Sequence, residues 1–389
     1  MMTDTVIADL TIDKSKWKRV QLGDVVEESR EVVRDPVNER IERVVGLEHI
    51  DSESIHLRRW DTLEQSTTFT KKFTKGQVLF GRRRAYLKKA ALSTFDGICS
   101  GDITVLQAKP DLIQELLPFL INNDKFFDYA VKNSAGSLSP RAKFKDLANY
   151  EFLLPPKDQQ ARLAELLWTA DEVVESNEAL KLKGRKILNA LTFNRFKESN
   201  DPIVRIKDIA TVQAGATPLR SEEKYFKNGS IPWLKTLDLN NGDIFETEEK
   251  ITELAIKETS CKVREINSVL VAMYGGFNQI GRTGLLRIAA ATNQAVSAIK
   301  VDQSLVRPEF LHFLLNAKVD YWKRVAISSR KDPNITKNDV ENFSFHLPSL
   351  SKQDKIICEV KSANICISQL QAQIQVSKQL QKSIINQIF

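Results

Sequence analysis

Hydrophobic and polar positions fall into two rhythms along this 389-residue chain, and the two rhythms occur in the same order twice. Short apolar runs such as Gln77–Phe80, Ile103–Leu106, Ser268–Ala272 and Ala295–Lys300 are separated by Gly, Asn and Asp, and they read as strands. Each half opens on a brief alternation, Trp17 to Val25 and Ile203 to Ile209, a strand or a short helical entry. A helical period comes after the strands, over Leu112 to Val131 and Pro308 to Val325, and leads into a loop rich in polar and turn-forming residues. A last extended run then ends in Leu-Pro, where the residue before proline disfavours helix.

The repetition extends to individual residues. The segment from Pro140 aligns with the segment from Pro333, placing Asp146 on Asp339, Tyr150 on Phe343, Phe152 on Phe345, Pro155 on Pro348 and Gln160 on Gln353. Phe196 falls on Phe389 at the same offset, whereas Lys75–Phe80 and Val20–Val25 match Glu265–Leu270 and Val204–Ile209 at slightly shorter ones, as loops of unequal length require. A period of about 190 residues is too long for a solenoid and suits a duplicated domain.

After each Leu-Pro the period becomes helical and stays so. Between Asp158 and Lys197 there is no proline, and apolar or small residues recur in steps of three and four at Leu163, Leu166, Ala170, Val173, Asn177, Leu180, Gly184, Ile187 and Leu191. A second seam runs through Ile356, Val360, Ala363, Cys366, Leu370, Ile374, Ser377, Leu380 and Ile384. Each helix of ~40 residues would extend roughly 60 Å, longer than its domain needs, so the pattern predicts an antiparallel coiled coil. Ala170, Gly184 and Ala363 would allow close approach, and Asn177 is a register device. The expected fold is a mixed α/β (α+β) chain with two pseudo-symmetric domains separated by these helices. Its boundaries are 1–156, 157–199, 200–350 and 351–389.

Composition adds a modest constraint. Lys and Arg number 57 against 50 Asp and Glu, a formal charge of +7, which permits a polyanionic partner without demanding one. The distribution says more. In the first half Arg82, Arg83, Arg84, Lys88 and Lys89 surround Tyr86, and adjacent arginines repel unless an anion joins them. Arginine bonds guanine O6 and N7 as a fork, or grips phosphate. The equivalent loop of the second half carries Tyr274, Phe277, Asn278, Gln279 and Arg282, and its amides suit adenine N6 and N7. A second cluster in each half could hold phosphates, with Ser137, Ser139, Arg141, Lys143 and Lys145 in one and Ser328, Arg330, Lys331, Asn334 and Lys337 in the other. Thr217 and Arg220 form a third loop, in the second half.

Catalytic signatures are missing from the sequence. It has no G-x-x-x-x-G-K-[ST], no G-x-S-x-G, no Asn/Asp-Pro-Pro-aromatic tetrapeptide and no glycine-rich turn for S-adenosylmethionine. Cys99, Cys261, Cys358 and Cys366 are scattered and apart from the histidines, so neither a disulfide framework nor a metal site is expected. With no apolar leader and no spanning run, the expectation is a cytoplasmic protein with reduced thiols and no membrane partner. These features leave a DNA-reading module, a coiled-coil interaction scaffold recruiting enzymes through protein-binding heads, and a nuclease or methyltransferase with divergent motifs.

The order of parts resembles the specificity subunit of type I restriction–modification enzymes over nearly the whole chain. The likeness rests on Trp17-x-x-Val20-x-Leu22-x-Asp24, on Phe152–Pro156 followed by Gln160, and on Phe345–Pro348 followed by Gln353. Gly215-x-Thr217-Pro218, Ile231–Trp233 and Ala291–Gln294 add to it. It implies that each domain is a target-recognition domain reading half of a bipartite DNA sequence, and that the helices set the spacer. It also implies docking of two methyltransferase subunits acting on adenine N6, and of motor–nuclease subunits for restriction. This chain itself would be non-catalytic and free of cofactor, with S-adenosylmethionine, ATP and Mg on the partners. Two departures stand out. Ser349 and Leu350 replace the Pro156-Lys157 of the first half, and Lys352 precedes Gln353 where an acidic residue is usual.

Overall fold

The structure, a computed structural model, describes residues 12–63, 68–197, 201–327 and 334–389, the side chains of 190–197 and 327 excepted. Contacts divide the chain into two units, Met1–Ala179 with Gln371–Phe389, and Leu180–Leu370.

In the first unit, Lys18–Gln21 pairs antiparallel with Glu151–Leu154 as a two-stranded ribbon. An antiparallel sheet follows the order Val26–Ser29, Ile103–Ala108, Val78–Gly81, Ala90–Leu92. Another has the order Asp61–Thr62, Arg43–Val45, Gly97–Cys99, Lys71–Phe73, with one parallel pair at its centre. Val78–Gly81 is buried along its whole length because both its faces are covered. Val78 and Phe80 enter the main core while Leu79 enters a second core on the opposite face, as a side-chain period of two requires.

The second unit repeats this plan. Ile203–Arg205 pairs with Ser344–His346, and Ala210–Ala214, Val296–Val301, Val269–Ala272, Thr283–Leu286 and Asp243–Ile244 form a sheet in that order. Glu249–Ile251, Ile231–Leu234, Ala290–Thr292 and Val263–Arg264 form the other. Val269 and Val271 face one core, Leu270 and Ala272 the other. Each helical stretch expected after the strands is broken in two, Leu117–Ile121 with Asp124–Lys132 and Pro308–Ala317 with Val319–Ile327. In the first unit the break is made by buried Asn123, whose side chain accepts from the Phe126 amide at 2.7 Å and so starts a new helix.

Two long helices, Lys157–Lys197 and Leu350–Ile388, belong partly to each unit. Both begin with the same fastening. Gln160, buried, accepts from the Ile113 amide at 2.9 Å and donates to the Asp111 and Pro155 carbonyls. Gln353 accepts from the Arg307 amide at 2.7 Å and donates to the Leu305 and Pro348 carbonyls. Within the first unit the helices run antiparallel, with Asp171 bonded to Gln381 and Glu178 to Lys378. Within the second, Gly184 faces Ile367.

The buried stripe of the central helix differs from the expected seam. Gln160, Ala164, Leu167, Asp171 and Val174 are buried, the last four each one residue on from the apolar series; of that series Asn177 is buried, whereas Leu166, Val173, Leu180 and Ile187 are 41–50% exposed. Leu163 and Ala170 are half-buried. The reason is that this face packs against its own domain as well as against the other helix, and Gln160 and Asp171 find partners there, whereas the Asn177 Nδ2 is buried without one. Asp171, for example, receives both Gln381 and His56. On the C-terminal helix Ile356, Val360, Ile374 and Ile384 are buried, with Ala363, Leu370 and Ser377 half-buried. Ile367 and Gln381 take the inward places expected of Cys366 and Leu380, which are exposed. The Leu191 side chain lies outside the described residues.

Candidate nucleic-acid interface

In the first unit the two basic loops expected from sequence meet at one end of the antiparallel sheet. The strand Val78–Gly81 runs out into Arg82, whose amide donates to the Asp102 carbonyl at 2.9 Å, while the Ala142 amide donates to the Arg82 carbonyl at 2.8 Å. Arg83 and Arg141 pair as an isolated antiparallel bridge, and the Arg84 amide donates to the Pro140 carbonyl. Four arginines up to 59 residues apart in sequence, Arg82 to Arg84 and Arg141, thus share one patch with Ser139.

Asp102 sits among them. Its carboxylate accepts from Arg141 Nε at 2.8 Å and from Arg83 Nη1 at 3.2 Å, and Arg83 Nη2 donates to Ser139 Oγ at 3.1 Å. Burial works to raise the Asp102 carboxyl, but hydrogen bonds from Arg141 and Arg83 outweigh it and hold it below the usual carboxylate range. Arg84, in the left-handed region at φ 54°, is exposed, as are Tyr86 and the loop residue Ser137. The Nε atoms of Arg82 and Arg83 are buried without a partner. Lys88 and Lys89 are used internally, in an ion pair with Asp124 at 2.6 Å and a bond to the Leu47 carbonyl at 2.6 Å. Lys143 and Lys145 are exposed.

The second unit builds the same frame with other side chains. The Met273 amide donates to the Ala295 carbonyl at 2.8 Å and the Ile335 amide to the Met273 carbonyl at 2.9 Å, matching the bonds of Arg82. This equivalence sets Tyr274 opposite Arg83, Ala295 opposite Asp102 and Asn334 opposite Arg141. Gly275 and Gly276, at φ 119° and 105°, turn the loop, and they carry Phe277 and Asn278 to the exposed surface. Lys323 Nζ lies 5.3 Å above the Phe277 ring. Gln279 has a buried, unpartnered Oε1, and Arg282 is half-buried beside it. Thr217 bonds Gln294, adjacent to Ala295, so the third expected loop joins the same sheet end. Arg220, by contrast, is paired with Glu249 at 2.6 Å and covers the rings of Phe226 and Trp233. Lys337 pairs with Glu341 at 3.2 Å, and Ser328, Arg330 and Lys331 lie outside the described residues.

Asp102 and Lys323 were not singled out by the sequence reading, because each meets a loop distant from it in sequence, whereas Gln294 closes the Ala291–Gln294 motif quoted there. Elsewhere in the first unit, a crevice of about 600 Å³ separates the domain from the helices. Its charged groups are engaged with one another, as His56 with Asp171 at 2.7 Å and Lys382 with Glu53 at 2.7 Å, which makes it a joint. Among the described residues the cluster Glu48, His49 and Asp61 has metal-like spacing, but His49 Nδ1 accepts the Gly46 amide and its other nitrogen faces Asp61 at 3.4 Å. No helix of the described residues is long and apolar enough to cross a membrane.

The family described as the type I restriction modification DNA specificity domain matches residues 14–183 and again 199–384. The type I restriction enzyme MjaIX specificity subunit of Methanocaldococcus jannaschii is 23% identical over 347 residues, 80% of this chain and 76% of that protein. Among solved structures, a chain from work on complex assembly and conformational transition of the type I R-M system superposes with a TM-score of 0.64 at 20% identity, covering 96% of this chain and 97% of its own. The HsdS subunit from Thermoanaerobacter tengcongensis gives 0.51, also at 20% identity, covering 96% of each chain.

Proposed function

The chain belongs to the type I restriction–modification specificity family, and from that membership we propose that it reads a two-part DNA target, one part with each unit. The observation that carries this reading is the loop frame built twice, with arginines around Arg82 in one copy and amides and aromatics around Tyr274 in the other. A common frame presents the same depth and angle to a groove, while different side chains select different bases. The exposed Arg84 and Arg141 guanidinium groups suit phosphate and guanine, and the exposed Asn278 amide suits adenine.

The long helices, continuous from one unit to the other, set the gap between the two parts. The exposed series Leu166, Val173, Leu180 and Ile187 offers an apolar ridge for two methyltransferase subunits, with motor–nuclease subunits joining for restriction. In this arrangement the present chain does no chemistry. Methyl transfer to adenine N6 from S-adenosylmethionine, and ATP and Mg chemistry, reside on the partners.

Modified-base sequencing of DNA from cells expressing this chain, with and without a cognate methyltransferase subunit, tests the reading. N6-methyladenine in a two-part motif of fixed gap, seen only when both proteins are present, is the expected result. Methylation without such a motif, or a motif indifferent to this chain, would overturn it.

A further inference from the structure

We propose that Arg141 and Asp102 form a buttressed pair that gives the first unit a requirement for guanine, with Arg141 as the reading side chain and Asp102 as its positioning residue. The inference rests on the DNA-reading role proposed for the loops around Arg82 and Arg141.

The four arginines of the patch are not equivalent. Arg83 uses Nη1 on Asp102 and Nη2 on Ser139, so both its terminal nitrogens are engaged. Arg84 is exposed and has no partner among the described residues, which suits a phosphate. Arg141 touches Asp102 through Nε alone, at 2.8 Å, and its Nη1 and Nη2 have no partner among the described residues on a side chain 45% exposed. Two parallel N–H groups on one guanidinium edge are what guanine O6 and N7 accept. Fixing the opposite edge removes rotamer freedom before DNA arrives, so less is lost on contact.

Asp102 is placed to do that fixing. It stands at the start of the strand Ile103–Ala108, its amide bonded to Ser100 Oγ at 3.2 Å and its carbonyl to the Arg82 amide. Backbone and carboxylate together therefore tie three loops to the rigid end of a sheet. A carboxylate in a patch that grips a polyanion weakens the grip, so the gain from it is geometric. The second unit has Ala295 and Asn334 at the matching positions, and so lacks this fork. The guanine requirement belongs to one part of the target only.

Selection of a duplex pool, randomised across the binding region, by the purified full-length chain tests the proposal. The wild type should enrich a guanine in one part of the motif. Arg141→Lys keeps the charge but not the fork, so preference for that guanine should fall by about tenfold or more with the salt dependence of binding unchanged. Asp102→Asn should lose preference at the same position, keep it at the others and bind unrelated duplex more tightly. Neither pattern follows from a merely destabilised domain, which would lose all positions together. A wild-type motif without that guanine, or an unaltered base profile in either variant, overturns the pair. Arg82→Ala/Arg84→Ala separates the two levels. If it binds duplex like the wild type, the loop does not face DNA and both readings fail. If it loses salt-dependent binding while Asp102→Asn and Arg141→Lys keep the wild-type profile, only the buttress fails.

Discussion

At the scale of single residues, burial decides what a titratable group can do. His312 is 2% exposed on the helix Pro308–Ala317, and Asn316 Nδ2 donates to its Nε2 at 3.3 Å. Burial pushes its pKa down to about 4 from an ordinary 6.5. Between those two values the unfolded chain holds a proton that the folded chain refuses. Stability of the second unit is therefore full above pH 6.5 and declines as pH falls towards 4, by up to about 3 kcal/mol. Urea midpoints at pH 7 and pH 5 should show the decline, and His312→Gln should flatten it. Lys88 makes a different point about residue identity. Its ion pair with Asp124 commits its charge to holding the domain together, although in sequence it looks like part of the basic loop. Arg82 to Arg84 were legible because adjacent charges stand out. Asp102 was not, since its role depends on loops far from it in sequence.

Secondary structure was legible wherever one face met one environment. The strands and the two long helices emerged from periodicity, and so did the shared position of Gln160 and Gln353. What periodicity misjudged was the helix face. A helix buried against both a domain and another helix can hide Asp171 and Gln160, and the apolar series beside them is left outside. Gly184 tests the packing. A methyl group there would meet Ile367 at 3.4 Å, an ordinary contact, so Gly184→Ala should gain about 0.5–1 kcal/mol from helix propensity alone. Thermal melting measures this, and a loss would mean that the helices sit closer than described. Gln353→Ala should act in the opposite direction, by about 2–3 kcal/mol, because it strands the Arg307 amide and two carbonyls at the start of the helix. Chemical denaturation of the variant reads that cost directly.

For the molecule as a whole, duplication is the property most visible in sequence, since two copies of one hydrogen-bonded frame restrain the same residues twice. Sheet order was not legible: ten or eleven short strands in each unit admit many pairings, and only the folded ladders choose one. The exposed ridge yields a prediction at this scale. Val173→Asp and Ile187→Asp lie on uncovered helix surface, so each should change stability by no more than about 0.5 kcal/mol. Each should nevertheless reduce recovery of a co-expressed methyltransferase subunit in affinity purification, and undiminished recovery would count against the ridge.

The first unit is also discontinuous, because Ile384, Ile385, Ile388 and Phe389 complete a core begun by Leu22 and Phe80. During synthesis the ribosome must add everything from Leu180 to Leu370 before those residues exist. At ordinary elongation rates of ~5–20 residues per second, the early half waits on the order of 10–40 s with part of its apolar interior open. A nascent chain has that long to be bound by a chaperone, or to capture the wrong helix.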